Sequence, residues 1–259
     1  MFRKLALMFS LLALALGISA TAVRAQSTPE VKEKPPMYTY VSIWTIPRAQ
    51  WADMEKSDAA DNETMGKALA SGAIVAYGHD TSLVHTIDGP THDEYWSSMS
   101  MAGLLSLLEQ FYKNGSAVTP VLETSTKHSD EILVSRYYNW VSGSCKGCYT
   151  HGGFYKLKPD APNDALETLS KTLFVPLFEK LLAEGTIKEY EIDTQAIHTN
   201  APGTFSIFYI TPNAEGLDKV NDAIRAAGKN NPLVGPALDS ILDYTGHRDE
   251  LTRTDASYK

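Results

Sequence analysis

Four histidines stand at matched positions in this sequence: His85 with His198, and His128 with His247. An imidazole titrates near neutral pH, so a pair facing a cavity could move a proton or orient a ligand. The plainer reading is structural, because a histidine at a strand end often bonds to backbone. Neither pair has the i, i+4 spacing of a helical zinc site, so no metal is expected. The cysteines are Cys145 and Cys148. In an exported chain such a pair reads first as a disulfide, worth about 2 kcal/mol for so short a loop. A redox dithiol would want Cys145 at a helix start. Haem attachment would want histidine directly after Cys148, where Tyr149 stands. A zinc site using Cys145, Cys148 and His151 lacks a fourth ligand. No dinucleotide, nucleotide, serine-hydrolase or zinc-protease motif occurs, and no cofactor is expected.

The matched histidines belong to a repeat. Residues 67–86, KALASGAIVAYGHDTSLVHT, and 180–199, KLLAEGTIKEYEIDTQAIHT, are identical at ten of twenty positions with an offset of 113. The likeness continues in 113–124 against 229–240, and in His128-Ser-Asp-Glu-Ile against His247-Arg-Asp-Glu-Leu. Small insertions would explain the growing offset. A tandem duplication of nearly the whole mature chain is expected.

Local signals give each copy the same order. In the first, Tyr38–Ile46 reads as a strand and residues 48–71 as a helix, with a restart at Asp61-Asn62-Glu63 and a stop at Gly72. Strands at 74–86 and 92–98, a helix at 101–112 and a strand at 132–141 follow. In the second, the strand 154–158 leads to a helix at 165–184 that contains Pro176. Strands at 187–199 and 204–210 come next, then a helix from 214 to 227 capped by Asn213.

The amino terminus reads as targeting sequence. Arg3 and Lys4 precede the apolar run 5–18, and Val23-Arg24-Ala25 suits a signal cleavage site. Removal of residues 1–25 leaves 20 basic against 31 acidic residues. That balance argues against nucleic acid and anionic membrane surfaces as partners. The expected organisation is a signal segment 1–25, a flexible tether 26–36, a first repeat 37–143, a cysteine-containing linker 144–150 and a second repeat 151–259. The protein would be periplasmic or secreted, a monomer with an internal pseudo-dimer.

Strand-helix-strand-strand-helix-strand is the ferredoxin-like arrangement, which leaves one sheet face bare. On element order and duplication, residues 37–255 resemble the dimeric α+β-barrel superfamily in its fused, two-repeat form. The resemblance implies an α+β fold: two tandem ferredoxin-like repeats packed sheet to sheet as a pseudo-twofold barrel. Members of the superfamily include cofactor-free monooxygenases, haem enzymes and small isomerases. The haem-binding members carry a ligand histidine on a helix, and this chain departs from them there.

If alternate strand residues line the barrel, one inward face is Tyr38, Tyr40, Ser42 and Trp44. Others are Arg136, Tyr138 and Trp140; Tyr77, Thr81 and His85; and Tyr190, Thr194 and His198. Glu189, Glu191 and Asp193 then lie on a solvated face. An aromatic-walled cavity would suit a small, flat, apolar ligand. The same aromatics could equally fill a closed core. The sequence therefore supports an exported small-molecule-binding barrel, for which the resemblance implies a cofactor-independent oxidation or isomerisation of an aromatic or carbonyl compound. A non-catalytic binding module and a dithiol redox protein are the alternatives.

Overall fold

Eight strands close into one antiparallel barrel in the order β1-β3-β2-β8-β5-β7-β6-β4. The strands are β1 (Met37–Thr45), β2 (Ala76–Ser82), β3 (His92–Ser98), β4 (Lys127–Trp140), β5 (Gly143–Lys156), β6 (Glu189–Gln195), β7 (Thr204–Thr211) and β8 (Arg248–Tyr258). The computed structural model describes residues 31–259. The expected signal segment, 1–25, and residues 26–30 of the tether lie outside the described residues. The rest of the expected tether is tied down. Lys34 N donates to Arg136 O at 2.8 Å, and Tyr138 Oη donates to Pro35 O at 2.8 Å.

Each half supplies four adjacent strands, β4-β1-β3-β2 and β8-β5-β7-β6. The two sets do not merely face each other. Long outer strands hydrogen-bond across the seams, β2 to β8 and β4 to β6, so no edge is left unpaired. The expected linker 144–150 is part of β5. A bulge between Cys145 and Cys148 in its pairing with β8 is clasped by the disulfide joining them, and Gly147 supplies the positive φ of 64° the turn requires.

Among the described residues six α-helices pack on the outside: α1 (Trp51–Ser71), α2 (Met101–Asn114), α3 (Ala165–Leu169), α4 (Val175–Ala183), α5 (Ala214–Asn230) and α6 (Val234–Ile241). Helix α1 runs unbroken through the expected restart, because Asp61 faces inward and is buried instead of capping a new turn. A π-helical turn, Ser170–Phe174, joins α3 to α4, so Pro176 falls in the first turn of α4, where its missing N–H costs little. Asn213 caps α5 as expected, its side chain accepting from Gly216 N at 3.0 Å.

The side-chain alternation is opposite to the expected one. Tyr40, Trp96, Leu104, Leu107 and Phe111 form a core between the first sheet half and its helices. The second half has Tyr190, Ile192, Ile207 and Tyr209 packed with Phe178, Leu181 and Val220. The aromatic strand faces therefore point outward, under the helices, where the largest apolar area can be covered. The inward positions carry Asp80, Asp93, Glu189, Glu191 and Asp193, all near a residual space of about 60 Å³. Asp80, Glu189, Glu191 and Asp193 are buried and Asp93 is half-buried, so this face is not the solvated one.

Hydroxyls answer them. Thr254 donates to Asp80, Ser135 to Asp193 and Tyr258 to Glu189. Thr39 reaches Glu191 at 3.5 Å and bonds to Ser97 at 2.9 Å. Room for the packed rings comes from glycine: a Cβ on Gly78 would lie 2.6 Å from the Tyr95 ring. Ionising a carboxyl group here costs several kcal/mol without a cation. Burial accordingly pushes Asp80 up to about 6 and Glu191 up to about 8, and holds Asp93, Glu189 and Asp193 well above the carboxylate range.

These groups bind protons more tightly folded than unfolded. Their stabilising contribution is complete below the unfolded carboxylate range, near pH 4, and is lost as pH rises through 6 to 8. Thermal unfolding followed by circular dichroism should show a midpoint that falls steadily from pH 5 to 8.5. Glu191→Gln, which keeps the shape without the charge, should raise the midpoint at pH 8.5 and flatten the slope. A midpoint that rises over this range would contradict a protonated interior.

Candidate functional site

The large helix-side cavity lies in the carboxy-terminal half. It encloses about 450 Å³ between the outer faces of β5, β7 and β8 and helices α4, α5 and α6. Alternation on β5 sends His151 and Tyr155 to this side, and β7 contributes Ile207 and Tyr209. Leu177 and Phe178 of α4, Ile224 of α5 and Leu238 of α6 supply an apolar roof. An apolar space with a few convergent polar groups is the usual form of a small-ligand site.

The polar groups gather at one edge. Asp249, near the start of β8, places Oδ1 3.7 Å from His151 Nε2 and Oδ2 3.6 Å from His247 Nε2. One carboxylate thus bridges two imidazoles, at separations that would tighten to hydrogen bonds on a small closure. His247 Nδ1 lies 3.0 Å from Phe154 O, which assigns a proton to that nitrogen. Each imidazole is stacked: His151 on Tyr209 at 4.9 Å, and His247 on Tyr155 at 4.7 Å. Burial, with His247 adding to it against the opposing pull of Asp249, lowers the basicity of His151. The imidazole is therefore neutral near pH 7 and free to accept a proton. Its Nδ1 is buried without a hydrogen-bond partner among the described residues. Burial, then Asp249, pushes the Tyr155 phenol up to about 12, and burial likewise raises Tyr209. Both phenols are neutral hydrogen-bond donors.

The residues singled out in the sequence are scattered by comparison. His85 and His198 lie beyond the ends of β2 and β6, in exposed loops, where His85 meets the Trp51 ring edge-on at 5.7 Å. His247 belongs to the site just described. His128 belongs to a smaller space in the other half, where it stacks on Trp44 at 5.3 Å. Tyr40 and Trp44 line that smaller space, under α1 and α2 rather than inside the barrel. Tyr77, Thr81, Tyr190 and Thr194 also point to the helix side, and Tyr190 donates to Glu179 at 2.6 Å. Arg136 sits at a bulge in β4 and pairs with Glu33 at 3.7 Å. The bulge shifts the alternation, so Tyr138 and Trp140 stack on each other near one barrel end.

His151, Tyr155, Tyr209 and Asp249 were not among the expected site residues. The signal for Asp249 was present, since His-x-Asp occurs at 128–130 and again at 247–249. The signal for His151 and Tyr155 was their period-two spacing, hidden because this stretch read as linker and strand start.

No protein-family model matches the chain, and no curated protein matches it by sequence. Solved structures do match in fold. A candidate monooxygenase from Lactobacillus acidophilus NCFM superposes with a TM-score of 0.63 at 11% identity, over 87% of this chain and 97% of that one. A candidate monooxygenase from Fusobacterium nucleatum subsp. nucleatum gives 0.61 at 8% identity, over 87% and 95%. An anthrone oxidase-like protein gives 0.51 at 10% identity, over 87% and 94%. At these identities the likeness concerns the fold, and the expected resemblance to dimeric α+β-barrel proteins holds at that level.

The roof of the cavity also carries stability. Phe178 is buried and stacks on Tyr190 at 5.3 Å, with Tyr209 5.8 Å away. Phe178→Ala should lower the unfolding free energy by about 3–5 kcal/mol, read from urea denaturation. A loss below about 1 kcal/mol would mean that the ring is not packed as described.

Proposed function

We propose that the carboxy-terminal cavity binds a flat aromatic compound with an acidic C–H or O–H group and promotes its cofactor-independent oxidation by molecular oxygen. The observation that carries this reading is the neutral, half-buried His151 beside Asp249 at the polar edge of an aromatic-walled apolar space. Asp249 favours the tautomer with the proton on Nε2, which leaves Nδ1 of His151 as the base. For a methylene flanked by aromatic rings and a carbonyl, that nitrogen takes a proton and leaves a delocalised carbanion. The carbanion and oxygen combine into a hydroperoxide after return of the proton. Loss of water then leaves a carbonyl, so one oxygen molecule is consumed and one water released per methylene oxidised. Tyr155 and Tyr209 would donate to the developing enolate oxygen. The names of the fold neighbours, candidate monooxygenases and an anthrone oxidase-like protein, support this class of chemistry.

The chain that does this would be exported, with residues 1–25 removed, and its two halves would derive from one duplicated unit packed as an internal pseudo-dimer. The repeated sequence and the equal strand order of the halves support that origin. Dithiol chemistry draws no support: Cys145 and Cys148 are joined, buried at 7% and 2% exposure, and packed among Ala76, Ile210, Ala256 and Tyr258.

Anthrone serves as the probe. Purified protein should accelerate oxygen uptake and anthraquinone formation without added metal or flavin. His151→Ala should lower kcat/KM about 10²–10⁴-fold, the usual contribution of a positioned base, while far-ultraviolet circular dichroism stays unchanged. Saturable binding of anthrone without turnover would leave a binding protein in place of an enzyme. Absence of both binding and turnover would remove the reading. A mass of the protein recovered from the bacterial periplasm that still includes residues 1–25 would contradict export with cleavage.

A further inference from the structure

The amino-terminal half has its own helix-side space, and its chemistry differs from that of the cavity above. It encloses about 50 Å³ between the outer face of β1 and β3 and helices α1 and α2. Tyr40 and Trp96 stack at 4.4 Å in its wall, and Trp44 stacks on His128 at its rim. Its polar lining is acidic: Glu94 from β3, Asp61 from α1 and Asp130 from β4. No lysine or arginine lines it. Asp130 is already engaged, accepting from Ser42 Oγ at 2.6 Å. Glu94 is not. It is 8% exposed, and its Oε1 has no hydrogen-bond partner among the described residues.

We propose that this space is a second ligand site, for a small organic ammonium ion held by Glu94 and Asp61 against the faces of Tyr40, Trp44 and Trp96. A buried, unpartnered carboxyl oxygen beside a second carboxyl group supplies the counter-charge. Electron-rich ring faces supply the rest, since they attract alkylammonium groups most where water is excluded. The volume admits about four non-hydrogen atoms, at roughly 10–15 Å³ for each water-sized unit. A divalent metal fits less well. Among the described residues no three His, Cys, Asp or Glu side chains converge as a metal-ligand set, and aromatic faces offer a hard cation nothing. This inference does not depend on the oxidation proposed for the other cavity.

The site also has a proton to exchange. Burial, with Asp61 and Asp58 on α1 adding to it and His79 on β2 opposing, pushes Glu94 up to about 8. His128 and Asp130 on β4, Tyr40 on β1 and Tyr112 on α2 border the same space. Without a cation Glu94 holds its proton at neutral pH. An arriving ammonium group displaces that proton, so affinity rises as pH approaches 8.

Isothermal titration of the purified protein with ethylammonium chloride tests this. One saturable site is expected, with affinity about tenfold higher at pH 8.5 than at pH 7 and uptake accompanied by proton release. Glu94→Gln should weaken binding at least tenfold and abolish the pH dependence. Asp61→Asn should weaken it with the pH dependence retained, which keeps the test valid if one variant folds poorly. Competition by Nα-acetyl-lysinamide would mark the natural ligand as a lysine side chain, and its absence a free amine. Three results would overturn the proposal: no saturable heat, equal affinity in wild type and both variants, or displacement of ethylammonium by stoichiometric manganese.

Discussion

The constraint behind this molecule is the strict two-residue alternation of its strands, combined with the burial of both sheet faces. Once the barrel is closed, every strand residue faces either the lumen or the outside, and over much of β1, β2, β3, β6 and β7 neither face is open to bulk water. One set on β2, β3 and β6 is acidic: Asp80, Asp93, Glu189, Glu191 and Asp193. The other is aromatic and aliphatic: Tyr77, Trp96, Tyr190 and Ile192. The helices offer leucine, phenylalanine and valine, which complement only the second set. The carboxyl groups are therefore left to the lumen, where threonine, serine and tyrosine hydroxyls of neighbouring strands meet them. A lumen of this kind is sealed by hydrogen bonds and retained protons together with an apolar cluster of Ala76, Ile210, Ala256, Tyr258 and the disulfide.

That division decides where ligands can go. At its centre the lumen retains about 60 Å³, where the carboxyl groups meet Val41, Leu133, Phe208 and Ile210, and a space of about 370 Å³ opens at one barrel end among Glu131, Phe154, Asp193 and Arg248. The larger room, about 450 Å³, lies between sheet and helices, and the two halves use that layer differently. In the second half the π-helical turn and the additional helix α6 border a cavity of about 450 Å³ with two histidines at its edge. In the first half α1 is continuous, Asp61 points inward from it, and about 50 Å³ remains with an acidic lining. Two positions with common sequence neighbours, His128-x-Asp130 and His247-x-Asp249, thus stand at the edges of unlike spaces.

Much of the architecture was legible. The order of strands and helices as far as α5, the Asn213 cap and the pairing of the cysteines could be read from local pattern, whereas α6 and the range of β8 could not. The direction of the faces was not, and a one-residue inversion exchanged lumen for helix side. Alternation gives two faces without saying which is inside, and the usual solvation of carboxylates favours the aromatic face as the lumen. Asp80 and Asp193 carried a contrary signal, since they are identical in the repeated stretch. Deciding between the faces required knowing what the helices present, which is a tertiary fact. His85 and His198 were misplaced for a simpler reason: β2 and β6 end at Ser82 and Gln195, before reaching them.

The most direct test of this division is a crystal structure of the protein soaked with anthrone. The account predicts ring density between β5, β7 and β8 and helices α4 to α6, within reach of His151, with the lumen holding nothing larger than water. Aromatic density inside the barrel, among Asp80, Glu191 and Asp193, would contradict it.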